Sequence, residues 1–84
     1  MTNKNQYKLT LDRPAVYQIK VPGHLEKDRM DWFGEMGVET SQNEAGMPIS
    51  ILTGSLDQAA LFGLLRRLYF LEMPLISVNC LEIG

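Results

Sequence analysis

Hydrophobic and polar positions alternate with period two over residues 15–21, AVYQIKV. Tyr17, Ile19 and Val21 would share one side of a strand, with Gln18 and Lys20 on the other. Pro22-Gly23 ends the run. From about Glu26 to Met36 the spacing becomes helical. Met30, Phe33 and Met36 share a face, Trp32 lies beside them, and Lys27, Asp28, Asp31 and Glu35 are polar. Gly34 and Gly37 weaken and then stop that helix. Two strands, 38–42 and 47–53, flank the stretch NEAG, where Gly46 suits a hairpin. Ile49 and Ile51 are expected on one side, Ile51 in the core, and Gly54 is expected to break the strand.

A longer helix follows. Ser55 with Gln58 three residues later reads as a capping box, with Asp57 as a further capping or dipole partner. The helix is expected to run to about Leu71, with Leu61 and Leu68 at the middle of its apolar face. Last comes a strand over 75–81, with Ile76, Val78 and Cys80 on its inner side. The order is β-α-β-β-α-β. It predicts an α+β protein with a ferredoxin-like two-layer sandwich, two helices on one face of one antiparallel sheet. Tyr7, Leu9 and Leu11 also alternate, so an extra strand can stand in front. The organisation expected is an N-terminal extension over 1–13 and a single domain over 14–84.

Composition narrows the class. The 84 residues fit one small domain, with 45% hydrophobic and 21% charged residues, a globular balance. The net charge is −2, and the longest basic run is Arg66-Arg67, which argues against nucleic acid as a partner. No apolar run approaches the roughly 18–20 residues of a membrane span. The opening MTNKNQYK has no apolar segment behind a basic start, and the single cysteine excludes an intrachain disulfide. A cytoplasmic setting is expected, with no cofactor.

Several stretches carry a resemblance. GHL at 23–25, DWF at 31–33, LTGSLDQAALFGLLRRL at 52–68 and MPLISVN at 73–79 resemble a widespread family of small uncharacterised bacterial proteins with no known function. Its most specific part is DQAAL-x-GLL followed by PL-x-SV, and the likeness spans about residues 16–79. It implies a single-domain soluble protein and transfers no catalytic residue. The chain departs from the pattern in its extension through residue 13, in Phe70 where a charge is typical, and in Glu72 where glycine usually ends the helix.

Candidate chemistry is sparse. His24, the only histidine, follows a strand end and could serve as an acid or base, or could cap the next helix. One histidine and one cysteine 56 positions apart do not make a metal site. Cys80 reads as a core thiol. Glu26, Asp28, Asp31 and Glu35 read as a solvated helix face. No glycine pattern cradles a phosphate. What remains is apolar surface: Trp32, Phe62, Tyr69 and Phe70 form a candidate interaction surface. The expectation is a non-catalytic binding or protein-interaction module that self-associates as a homodimer. The alternative is a cofactor-free enzyme of the dimeric α+β-barrel type, with His24 beside an apolar pocket.

Overall fold

The computed structural model describes residues 9–25 and 36–83. The helix expected over 26–36 falls outside them except for Met36. So do Tyr7, Trp32 and the four carboxylates of that segment. The described elements are β1 (Ala15–Pro22), β2 (Gly37–Gln42), β3 (Pro48–Leu56), α1 (Gln58–Phe70) and β4 (Ser77–Ile83). They make an α+β protein with one four-stranded sheet, ordered β2-β3-β1-β4 with every neighbour antiparallel. One helix, not two, is seen among the described residues.

The two central strands supply most of the core. Along β1 the buried residues are Ala15, Tyr17, Ile19 and Val21, the side that alternation selects. The register sets Ile19 opposite Leu52 and Val21 opposite Ser50. Paired residues project to the same side of a sheet, so Leu52 and Ser50 face inward and Ile51 outward. This reverses the expectation for Ile49 and Ile51, which are only half-buried on the far side. From α1, Leu61, Leu64 and Leu68 close the core, with Leu65 and Leu71 at its margin. Together they form the apolar stripe read from the helix spacing.

Ser50 is a polar group with no exposed surface, and its hydroxyl is fully used. It donates to the Gly23 carbonyl (2.8 Å) and accepts from the Leu25 N–H (3.1 Å). A buried hydroxyl is tolerated when it is bonded in this way. Here it ties the segment leaving β1 to β3. The Gly23 N–H adds a bond to the Pro48 carbonyl (2.9 Å), and Gly23 takes φ +89°.

Gly54 does not break β3, which continues to Leu56. A Cβ at Gly54 would lie 2.5 Å from Met36 Sδ and 3.4 Å from Met36 Cα, so the missing side chain admits Met36 against the sheet. The hairpin between β2 and β3 turns as expected at residues 43–46. Asn43 Oδ1 accepts from the Ala45 and Met47 N–H groups, both at 2.9 Å, and Gly46 takes φ +81°.

The helix start corrects another expectation. Because β3 extends through Leu56, Ser55 is an exposed strand residue and cannot cap. Asp57 is the cap: its Oδ1 accepts from the Ala60 N–H at 2.8 Å. Gln58 turns instead to the core, donating from Nε2 to the buried Tyr17 hydroxyl (2.5 Å), while its N–H bonds the Leu11 carbonyl (3.1 Å). Asp57→Ala is therefore expected to lower stability by roughly 0.5–2 kcal/mol. Ser55→Ala should leave the denaturation midpoint unchanged. The opposite ranking in paired urea melts would restore Ser55 as the cap.

β4 is the least covered element. Cys80 pairs with Tyr17 and Val78 with Ile19, so both stand on the core side of the sheet. Yet Cys80 is exposed, and Val78 keeps 38% of its surface in water. The expected core thiol is thus corrected. Its phase was right, but β4 is an edge strand. Beyond Cys80 the pairing shifts by one residue, so that Glu82 meets Val16 and Ile83 meets Ala15. Without this bulge Glu82 would sit on the core side. With it, Glu82 turns away and Ile83 turns in.

Candidate interaction surface

Among the described residues the exposed aromatic ones gather on α1 and at its end. Buried Leu61, Leu64 and Leu68 define the inner face. At 100° per residue, Phe62 and Tyr69 fall together on one flank, seven positions apart, and Phe70 lies on the outer side. Phe62 is 60% exposed, Tyr69 77% and Phe70 71%. The Tyr69 and Phe70 rings meet edge to face, with centroids 5.9 Å apart at 65°. Such a pair is mutually supporting and presents one broad apolar surface.

The helix ends beside them in a left-handed turn. Glu72 takes φ +59°. Its N–H bonds the Tyr69 carbonyl and the Met73 N–H bonds the Leu68 carbonyl, both at 3.0 Å. These are the two hydrogen bonds of a Schellman ending, with Glu72 where glycine is favoured. A glutamate there costs roughly 1–2 kcal/mol of backbone strain that glycine avoids. The turn sends Met73 back toward the core and opens a hollow lined by Tyr69, Phe70, Glu72, Met73 and Pro74.

The described part of the extension, residues 9–13, meets the opposite end of α1. Leu11 meets the start of α1 through Gln58, twelve residues before Phe70, and its side chain is 75% exposed. Leu9 is also exposed. Beyond the helix the apolar exposure continues through Leu75 (46%) and Ile76 (53%) into β4, where Leu81 (53%) and Ile83 (45%) follow. Sequence reasoning assigned Ile76 to the core and did not single out the others. The signal was present in the run PLISVNCLEI, which is more apolar than an edge strand needs.

His24 is exposed, and its Nδ1 lies 3.1 Å from Thr40 Oγ1 on β2. It does not line the hollow beside Phe70. Among the described residues no cluster of three or more His, Cys, Asp or Glu could hold a metal ion, and no helix is long and apolar enough to cross a membrane.

Residues 16–79 match the model of a family described as a domain of unknown function (DUF8691). No curated protein and no solved structure matches the chain.

Proposed function

The chain belongs to this family of domains of unknown function, and on that premise we propose that it is a non-catalytic binding module that acts through self-association as a homodimer. The observation that carries the reading is the aromatic surface of α1: Tyr69 and Phe70 are held edge to face, and each is more than two-thirds exposed. Burying a side chain of this size is worth about 1.5–3 kcal/mol, so a partner surface gains several such contributions there. Tyrosine and phenylalanine are the residue types enriched at the centres of interfaces. The exposed His24 has its Nδ1 3.1 Å from Thr40 Oγ1 and does not line the hollow beside Phe70, so the enzyme alternative draws no support from that hollow.

The fold reading belongs to the same proposal. A helix over 26–36 would complete a ferredoxin-like unit in a domain spanning 14–84. Two features support it. β3 lies between β1 and β2, antiparallel to both, and β4 closes against the free side of β1. The connection from β1 to β2, which run parallel to each other, has the length of a crossover helix. Partners in this reading are copies of the same chain; the net charge of −2 gives nucleic acid no purchase.

The test is light scattering on the full chain. The wild type is expected to run as a dimer and Phe70→Asp as a folded monomer, with unchanged far-UV circular dichroism. Deleting residues 1–12 should leave the dimer intact. A wild type that stays monomeric at high concentration would overturn the reading.

A further inference from the structure

We infer that two copies associate through the outer edge of β4, strand against strand around a two-fold axis, joining their sheets into one continuous sheet of eight strands. This rests on the self-association proposed above and names the surface that carries it.

The two edges of the sheet are built differently. β2, at one edge, reads GVETSQ and presents glutamate, threonine, serine and glutamine. Polar and charged residues of this kind blunt an edge against pairing. β4, at the other, reads SVNCLEI, with a single charge, and every residue but Ser77 is exposed. An edge strand leaves half of its backbone N–H and C=O groups unpaired within the sheet, a ready template for another strand. The core-side row Ala15, Tyr17 and Ile19 continues outward through Ile83, Cys80 and Val78 and stops in water. The core thus runs out at β4 rather than being closed there.

The helix supplies the second half of the argument. α1 connects β3 to β4, which run parallel to each other with β1 between them. A connection of this kind crosses over right-handed. With that hand, the flank of α1 carrying Phe62 and Tyr69 is the one turned toward β4. Its open surface and the open strand edge therefore look in the same direction.

A second copy answers both features with one operation. Antiparallel pairing of β4 with itself is isologous, so each chain offers the same edge and receives the same edge. A two-fold axis perpendicular to the sheet keeps both helices on the same side. The two Phe62–Tyr69 flanks then face each other across the strand junction, with Phe70 braced against Tyr69 at the rim of the interface, where Phe70→Asp would set a charge. A foreign peptide added to β4 would satisfy the edge and leave the aromatic flank in water. A specific interface takes about 800 Å² from each partner, roughly an eighth of this chain's 6247 Å². Phe62, Tyr69, Leu75, Ile76, Leu81 and Ile83, each 45–77% exposed, provide apolar area on that scale. Glu82 is the only charge in β4, and the bulge turns it to the face opposite the helix.

Two surface variants and one exchange measurement test this. Leu81→Lys places a charge on the strand edge, and Tyr69→Lys places one on the helix flank. Both positions are exposed, so both variants should fold. Each is expected to raise the concentration at which dimer forms by at least tenfold in sedimentation or light scattering. Amide hydrogen exchange of wild-type β4 should slow as protein concentration rises, while exchange of β2 should not change. A dimer that survives Leu81→Lys, with β4 exchange independent of concentration, overturns strand pairing but leaves self-association standing. A wild type that is monomeric throughout overturns both.

Discussion

Leu52→Ala is expected to cost about 2–5 kcal/mol, the usual cost of removing most of a buried leucine. Leu52 has no exposed surface and sits opposite Ile19 at the centre of the two inner strands. The whole domain can be expected to hold about 4–13 kcal/mol of stability. A single methyl-rich side chain is thus a large fraction of what keeps it folded. Truncation leaves a cavity between β1, β3 and α1 that rigid neighbours fill only in part. Ile51, one residue earlier, is half-buried on the far side, and Ile51→Ala should cost roughly 1 kcal/mol. Urea denaturation of the two variants separates the phases of β3. Equal losses, or a larger loss at Ile51, would mean that the strand faces the other way.

The second large effect is polar. Ser50→Ala removes one oxygen and orphans two backbone groups, the Gly23 carbonyl and the Leu25 N–H. Each buried group left unpaired costs roughly 1–3 kcal/mol. Neither can turn to solvent easily, because Leu25 and Ser50 are both buried. A loss of about 2–4 kcal/mol is expected, far above the cost of trimming a hydroxyl from the surface. Ser41→Ala, on exposed β2, supplies the comparison and should change stability by less than about 0.5 kcal/mol. If Ser50→Ala behaved like Ser41→Ala, the hydroxyl would not be holding the turn after β1.

These two residues also mark where the sequence could be read and where it could not. β1 was legible because its alternation is clean, with apolar side chains in one phase and Gln18 and Lys20 in the other. α1 was legible because Leu61, Leu64 and Leu68 repeat at helical spacing over three turns. β3 was not, because PISILTGSL carries apolar residues in both phases. The β-branched pair Ile49 and Ile51 looked like the inner row. What decided the matter was Ser50, a residue type usually found in water. It is buried because the chain after β1 brings two backbone groups to it from 25 and 27 positions away. No local pattern reports such a partner. The helix cap was misread for a related reason. Ser55 and Gln58 have the spacing of a capping box, but the pairing of β3 with β1 continues to Leu56 and holds Ser55 in extended backbone.

The exposure of Phe62, Tyr69 and Phe70 was legible in outline. Helical spacing sets Phe70 on the side of α1 away from the sheet, and there it is 71% exposed. Glu72 was marked as an unusual helix ending, and it does adopt the left-handed conformation. The strand edge was missed. Alternation correctly gives Val78 and Cys80 their side of the sheet, but a strand's position in the sheet is set by tertiary order, and an edge strand and a central one read alike.

The placement of β1 also sets an order of assembly. The β2–β3 hairpin joins residues only a few positions apart across its turn, and hairpins close in about 1–10 μs. Pairing β4 with β1 brings together Lys20 and Ser77, which stand 77 − 20 = 57 positions apart, the shortest separation in that ladder. Contacts so distant along the chain carry the larger loop-closure entropy and lower the folding rate. β1 must therefore recruit its two neighbours from different distances: β3 from the preformed hairpin and β4 only after α1 has crossed the sheet. Until β4 arrives, one side of the most buried strand in the domain stands open, and that interval is when a newly made chain is most exposed to wrong strand partners.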